Sequence, residues 1–293
     1  MPELWLWLGQ LGLVLSIAPL ISGIITKIKN WLRFRRGPSI WQPYYNLSKL
    51  LAKDEIHSDQ ISWIYQLAPW ILFSSTLTAA AILPLFAGLN RFSLLGDWLA
   101  LLFLFALGRF FLALAALDCG SAFGGLGGGR ELFVASLAEP VACLAVFALA
   151  LKSGSSGFSA MADGQFGNVT VVVACLSLFL LTLAETSRLP VDNQETHLEL
   201  TMIHEAMVLE YSGRPLALIE MSAHLRQFIW FFLLGWLIVP AISWLPLAMF
   251  ILASAVAVLE VTIAKLRLFR LVDYFIFALA IGFVAVICAS VGI

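Results

Sequence analysis

Charge is what this sequence has least of. Only 12% of its 293 residues are Asp, Glu, Lys or Arg, against about a quarter in soluble domains, and 61% are apolar. That balance argues against a water-soluble fold. Cysteine is also scarce: Cys119, Cys143, Cys175 and Cys288 stand apart with no CxxC pair, which argues against an iron-sulfur cluster or a disulfide framework in this chain. The glycines at 124, 125, 127, 128 and 129 lack both a P-loop Lys and GxGxxG spacing, and they follow an apolar run instead of a strand. They read as a tight turn where backbone passes close to a neighbour. His204 and Glu205 open like a zinc-protease HExxH, but Val208 stands at the closing position. No Ser, His and Asp set stands out either, so no catalytic or metal-ligating residue is assigned.

What is there is a series of long apolar runs. Crossing a hydrocarbon core of about 30 Å takes roughly 20 helical residues. Eight such runs occur, at 4–26, 64–87, 98–117, 132–151, 169–185, 226–243, 245–265 and 272–292. The sixth and seventh form one stretch, divided at Pro240 and Pro246 because a turn there satisfies the backbone groups that two prolines disturb. The first run carries only Glu3, lacks the basic start of a signal peptide, and is expected to be a retained helix. Stretches such as 101–107 do not alternate as barrel strands do. The expected fold is an all-α integral membrane protein of about eight transmembrane helices.

With eight helices and an outside N-terminus, the segments 27–63, 118–131, 186–225 (with Arg226) and 265–271 face the cytoplasm and hold 14 of the 17 Lys and Arg. Only Arg91 and Lys152 fall on the other side, while Arg109 lies within a run. This is a positive-inside pattern, expected of a cytoplasmic-membrane protein with both termini outside.

Ionisable groups within the runs need partners, water or a neutral form, because an unpaired charge at mid-bilayer costs at least about 2.5 to 3.5 kcal/mol. Arg109 and Glu139 sit at comparable depths on consecutive helices and are placed to pair. Glu260 is near enough to the cytoplasmic end to meet Lys265 and Arg267. A buried pair that only fixes helix packing and a proton-relay station both fit these residues. The segment 185–226 is the most polar, with the carboxylates Glu185, Asp192, Glu195, Glu199, Glu205, Glu210 and Glu220 against three arginines. No proline lies between Val191 and Arg214, so a helix is expected through most of it, placing Glu195, Glu199 and Glu210 on one face. Crowded carboxylates raise one another's pKa, which suits proton transfer; a docking surface for a basic partner is the alternative. Residues 38–53, with Trp41, Tyr44, Tyr45, Leu47, Leu50 and Leu51 at helical spacing after a basic run, read as an amphipathic interfacial helix. Such a helix anchors to lipid or walls a lateral entrance for a lipid-soluble ligand.

Four motifs in order resemble the subunit 1 family of respiratory complex I, in its energy-converting hydrogenase branch, over nearly the whole chain. They are Arg35-Arg36-Gly37-Pro38 with Gln42-Pro43; Asp118 to Gly125 with Arg130-Glu131 and Glu139-Pro140; Ala184-Glu185-Thr186-Ser187-Arg188-Leu189-Pro190-Val191-Asp192 through Glu195, Glu199 and Glu210-Tyr211-Ser212-Gly213; and Glu260 with Ala264 to Leu268. The resemblance implies a membrane-arm subunit without a redox centre of its own. It would dock hydrogenase-like large and small subunits and an iron-sulfur subunit, which carry the nickel-iron centre and the clusters, and would adjoin antiporter-like membrane subunits. No nucleic acid is implied.

By the same resemblance, Glu139, Glu185, Asp192, Glu195, Glu199 and Glu210 match the family's relay carboxylates; Glu260 joins them on its position. Arg35, Arg36, Arg109, Arg130, Arg188, Lys265 and Arg267 are docking or structural charges. His197 stands where the respiratory enzyme has a glutamate, and an imidazole titrates near neutral pH. The short Gly-Pro loop and His197 favour a hydrogen-metabolising complex over one that binds quinone, which remains the alternative. A reporter fused to the C-terminus is expected to be active outside the cytoplasm; activity confined to the cytoplasm refutes the topology.

Overall fold

The computed structural model describes residues 2–56, 61–85, 96–162, 167–193, 202–239 and 242–292. Among them every regular element is helical, and the only β-type pairing is an isolated bridge between Asp97 and Gly157. The helices are α1 (Pro2–Leu32), α2 (Gln42–Leu51), α3 (Trp63–Ile82), α4 (Trp98–Asp118), α5 (Ala122–Ser153), α6 (Phe158–Ala162), α7 (Val169–Glu185), α8 (His204–Val208), α9 (Gly213–Ile238), α10 (Leu245–Thr262) and α11 (Arg270–Val291). The protein is thus an all-α membrane protein. Six helices, α1, α4, α5, α9, α10 and α11, are long and apolar enough to cross a bilayer. α7 is apolar but has 17 residues, and α3 is diluted by Gln66, Pro69 and four hydroxyl residues.

α9 is the axis of the molecule. It packs on α1, α2, α3, α7 and α10, and Gln227 to Gly235 are all buried. A helix apolar on every side has no face to give to water, so Phe228, Ile229, Trp230, Phe231 and Phe232 fill the centre of the core. Around it α3 packs against α4, α5 against α7 and α11, and α1 against α10. Small residues permit these approaches, as packing in lipid favours. A Cβ on Gly108 of α4 would lie 2.7 Å from the Ser75 hydroxyl of α3. Gln10 of α1 donates to Ala80 O and Leu83 O, satisfying carbonyls freed where α3 ends.

Several expected boundaries move, each for a local reason. The second run ends at Ile82, not 87, because the residue before Pro84 is driven out of the helical region, and Leu83 is extended. The amphipathic segment is helical only from Gln42 to Leu51; residues 38–41 before it are irregular, and Pro43 sits in the first turn, where its missing N–H leaves no helical bond unmade. α5 begins ten residues before 132, so the glycine cluster is helical and not a turn. Its closeness to a neighbour is real, however: a Cβ on Gly127 would lie 2.9 Å from Ala206 Cβ and 3.0 Å from Met207 N in α8. The sixth run starts at Gly213 instead of 226, taking the end of the polar segment into α9.

The continuous helix expected through 191–214 is absent from the described residues. Residues 202–203 and 209–212 are irregular, with only five-residue α8 between them. Side chains hold this shape instead. Asp192 Oδ2 accepts from Ile203 N and His204 N at 3.1 Å each. Tyr211 stacks on Tyr65 with ring centroids 4.1 Å apart and donates to Tyr65 O at 2.9 Å. Burial pushes the Tyr211 hydroxyl well above its ordinary pKa, so it stays a neutral donor.

Gly127→Leu is expected to push α8 off α5 and cost about 1 to 3 kcal/mol. Gly129→Leu, where an added side chain meets nothing within 4 Å, should be tolerated. Thermal melts of the detergent-purified protein should show a lower Tm for the first variant only.

Candidate functional site

Two groups of buried charges occupy the end of the bundle where α7 gives way to the polar segment. The first is built on Arg109. α4 turns this residue inward against α5 and α7, where its guanidinium meets three carboxylates. Nη2 bonds Glu185 Oε1, Nε lies 3.5 Å from Glu131 Oε1, and Nη1 lies 3.9 Å from Glu139 Oε1. Glu131 and Glu139 are two turns apart on α5, and Glu185 is the last residue of α7. Arg226 of α9 lies over the Phe105 ring, its guanidinium carbon 5.5 Å from the centroid. Glu185 Oε2 and Arg226 Nε are buried without hydrogen-bond partners.

Three carboxylates on one guanidinium leave an excess of negative charge, which Arg226 only partly offsets. Such a group brings three carboxylates into direct electrostatic contact with one cation. It is not sealed from the side: Glu139 keeps 58% of its side chain exposed and lines a lateral cavity of about 110 Å³ with Leu102, Phe103 and Cys143.

The second group is built on Glu260. Lys29 of α1 lies 2.7 Å from Oε2, and Arg188 lies 3.1 Å from Oε1. Arg188 also donates to Gln227 Oε1 at 3.1 Å. Ser22 donates to the same oxygen at 2.7 Å and lies 2.8 Å from His224 Nδ1. Four segments, α1, the chain after α7, α9 and α10, thus converge on one buried network. Beside it Asp192, 2% exposed, pairs with Lys265 at 2.6 Å. A cavity of about 210 Å³ opens between these residues, reached by Asp192, His204, Glu205, Glu220 and His224 and walled by Leu47 and Leu50 of α2.

The pairing of Arg109 with Glu139 expected from their depth is present, though Glu185 and Glu131 join it. Glu260 does not reach out to Lys265 and Arg267. It turns inward to Lys29 and Arg188 because the desolvated interior offers both carboxylate oxygens a cation, while Lys265 takes Asp192. Arg267 is exposed, as are Arg35 and Arg36 beyond the end of α1. Arg130 donates to Met202 O at 3.3 Å. Glu210 follows α8, is exposed and stands apart from both groups, and its carbonyl accepts from the Tyr65 hydroxyl at 2.7 Å. Glu195, His197 and Glu199 lie outside the described residues.

The sequence reading did not pick out Lys29, Glu131, His224, Arg226 or Gln227 as members of a site. The signal available was the polar residues His224, Arg226 and Gln227 running directly into the apolar stretch that begins at Phe228. Glu260→Gln should leave Lys29 and Arg188 sharing a neutral acceptor, at a cost of about 3 to 5 kcal/mol. The readout is lower yield and Tm of the purified chain; the double variant Glu260→Gln, Lys29→Met should recover part of the loss.

Residues 7–290 match the family described as NADH dehydrogenase. Hydrogenase-4 component C of Escherichia coli (strain K12) is 38% identical over 224 residues, covering 75% of this chain and 70% of that protein. Formate hydrogenlyase subunit 4 of the same organism is 30% identical over 262 residues, covering 88% of this chain and 83% of its own length. In fold, the chain is similar to one from the membrane-bound sulfane sulfur reductase, an archaeal respiratory membrane complex, with a TM-score of 0.87 at 17% identity over 99% of this chain and all of that one. With nearly the full length matched, and with the buried charges that the Glu185 to Asp192 and Glu260 motifs contribute, this chain belongs to the NADH dehydrogenase family of complex I subunit 1-type membrane proteins.

Proposed function

We propose that this multi-pass protein is a membrane subunit of an energy-converting, hydrogenase-type complex, which seats a peripheral redox arm on one membrane face and links electron transfer there to ion movement in the membrane. The observation that carries this reading is the set of three carboxylates around Arg109, one of them open to the side. The reading is supported by the likeness to a hydrogenase-4 component and a formate hydrogenlyase subunit.

The geometry suggests how the coupling runs. The chain leaving α7 carries Glu185 to the first group, Arg188 to the second and Asp192 to the rim of the cavity within eight residues. A displacement of this chain by a docked redox subunit alters all three at once. Moving Arg188 away from Glu260 and Gln227 weakens a cation's hold on the second group. Moving Glu185 changes how Arg109 divides between its carboxylates. Protonation of one of them then relieves the excess charge, and the proton passes outward through Glu139. An ionised carboxylate facing hydrocarbon costs at least about 2.5 kcal/mol, so the Glu139 face belongs against a neighbouring membrane subunit, of antiporter-like type in this reading. In this reading the chain supplies no redox centre; a nickel-iron site and iron-sulfur clusters belong to the partners, and Glu195, His197 and Glu199 are further relay candidates by sequence.

Quinone is the second reading, favoured by the apolar wall that α2 gives the larger cavity. The remaining lining fits it poorly. Ionisable and amide groups dominate, and about 210 Å³ is below the roughly 300 Å³ of ordinary ligand pockets. This supports water and protons as the occupants. Glu139→Gln and Glu131→Gln are expected to assemble normally and to lower ion uptake coupled to hydrogen turnover in inverted vesicles by about tenfold or more. Unchanged pumping in both variants removes the relay; loss of assembly alone turns the residues into structural anchors.

A further inference from the structure

A third concentration of positive charge lies outside both groups, at the end of α1. Lys27, Arg35 and Arg36 border a shallow basin of about 650 Å³ with Trp31 and Phe34. The chain makes this basin by reversing sharply. Arg35 N donates to Asn30 O at 2.9 Å, and Phe34 N to Trp31 O at 3.0 Å. Gly37, at φ +58°, sets its backbone against the Asn30 side chain. Arg36 is thereby carried back over α1, where Lys27 donates to its carbonyl at 3.0 Å.

Two features set the basin apart from an ordinary solvated helix end. Neither Arg35 nor Arg36 has an acidic partner among the described residues, and Lys27 lines the same basin. Phe34 occupies a left-handed conformation, φ +55°, that favours glycine, and it is fully exposed. A bulky residue there carries a conformational cost of about 1 kcal/mol or more, and it makes no packing contact that offsets the cost. Trp31, 74% exposed, stands beside it.

The depth of the basin follows from α1 itself. Trp5, 73% exposed, lies 26 residues before Trp31 on the same helix. At about 1.5 Å per residue they stand roughly 39 Å apart, close to the roughly 40 Å between the two headgroup layers of a bilayer. Exposed tryptophans at that spacing mark the two interfaces. The basin is therefore at headgroup level.

We propose that Lys27, Arg35 and Arg36 bind the phosphate of an anionic glycerophospholipid, whose acyl chains lie over Trp31 and Phe34. Forked guanidinium donors match phosphate oxygens, and each basic group near an anionic headgroup strengthens binding roughly fivefold. A bound lipid covers both exposed rings, which accounts for Phe34 at a position where glycine is less strained.

The test uses the full-length protein in its complex, purified in mild detergent and incubated with equal amounts of phosphatidylglycerol and phosphatidylcholine. Retained lipid is measured by native mass spectrometry. Selective retention of phosphatidylglycerol is expected, falling about fivefold in each of Arg35→Gln, Arg36→Gln and Lys27→Gln. Phe34→Gly removes the backbone strain, so it should keep or raise Tm while lowering lipid retention, separating binding from folding. Equal retention of the two lipids overturns the proposal. So does inorganic phosphate displacing the lipid at similar concentration, which would make this a free-phosphate site. Variants that keep the lipid but lose a partner subunit on purification would show that the cations dock an acidic protein, and the proposal fails on that outcome as well.

Discussion

Charge held away from water has to be answered by charge, and the centre of this protein is arranged around that requirement. Glu260 is the clearest instance. One carboxylate oxygen takes Lys29 from α1 and the other takes Arg188 from the chain after α7, so a single residue of α10 ties three distant stretches together. Removing a partner from such a group exposes the full desolvation cost of the rest. The bundle is therefore less free to rearrange than apolar packing alone would make it.

That constraint also explains why the described residues between α7 and α9 are irregular outside the short α8. A helix there would carry its carboxylates in a regular spiral. Instead Asp192 spends one oxygen on Lys265 and the other on two backbone amides at the start of α8, and Tyr211 docks on Tyr65. These contacts are long-range in sequence, and together they override a pattern whose local propensities favour a helix. The result places Glu185, Arg188 and Asp192, within eight residues of chain, in three separate ion pairs.

The two groups differ in balance, and this separates a rigid region from a responsive one. Around Glu260 two cations face one carboxylate, supported by Gln227, Ser22 and His224. Around Arg109 three carboxylates face one guanidinium. The first arrangement clamps the bundle; the second carries an excess of negative charge. α9 stands between them, and its buried aromatic run keeps the groups in fixed relation while its polar residues serve both sides.

The amino-acid sequence by itself determined the membrane character, the helical class and the position of most apolar spans, because each follows from the local density of apolar residues and from prolines such as Pro84. It also marked Arg109, Glu139 and Glu260 as costly charges in need of partners, and Glu185 and Asp192 as members of the acidic segment. It paired Arg109 with Glu139 without the other two carboxylates, and it sent Glu260 to cations that the structure does not give it. Lys29 looked like one more member of a basic run, Glu131 like a loop residue and Gln227 like an incidental polar residue, since nothing near them in the chain records what lies across the bundle. The glycine cluster likewise announced a close approach without saying that helices make it. Only the tertiary structure decided these matters, because ion pairing in a low-dielectric interior depends on distances between helices, and those are set by packing over the whole molecule.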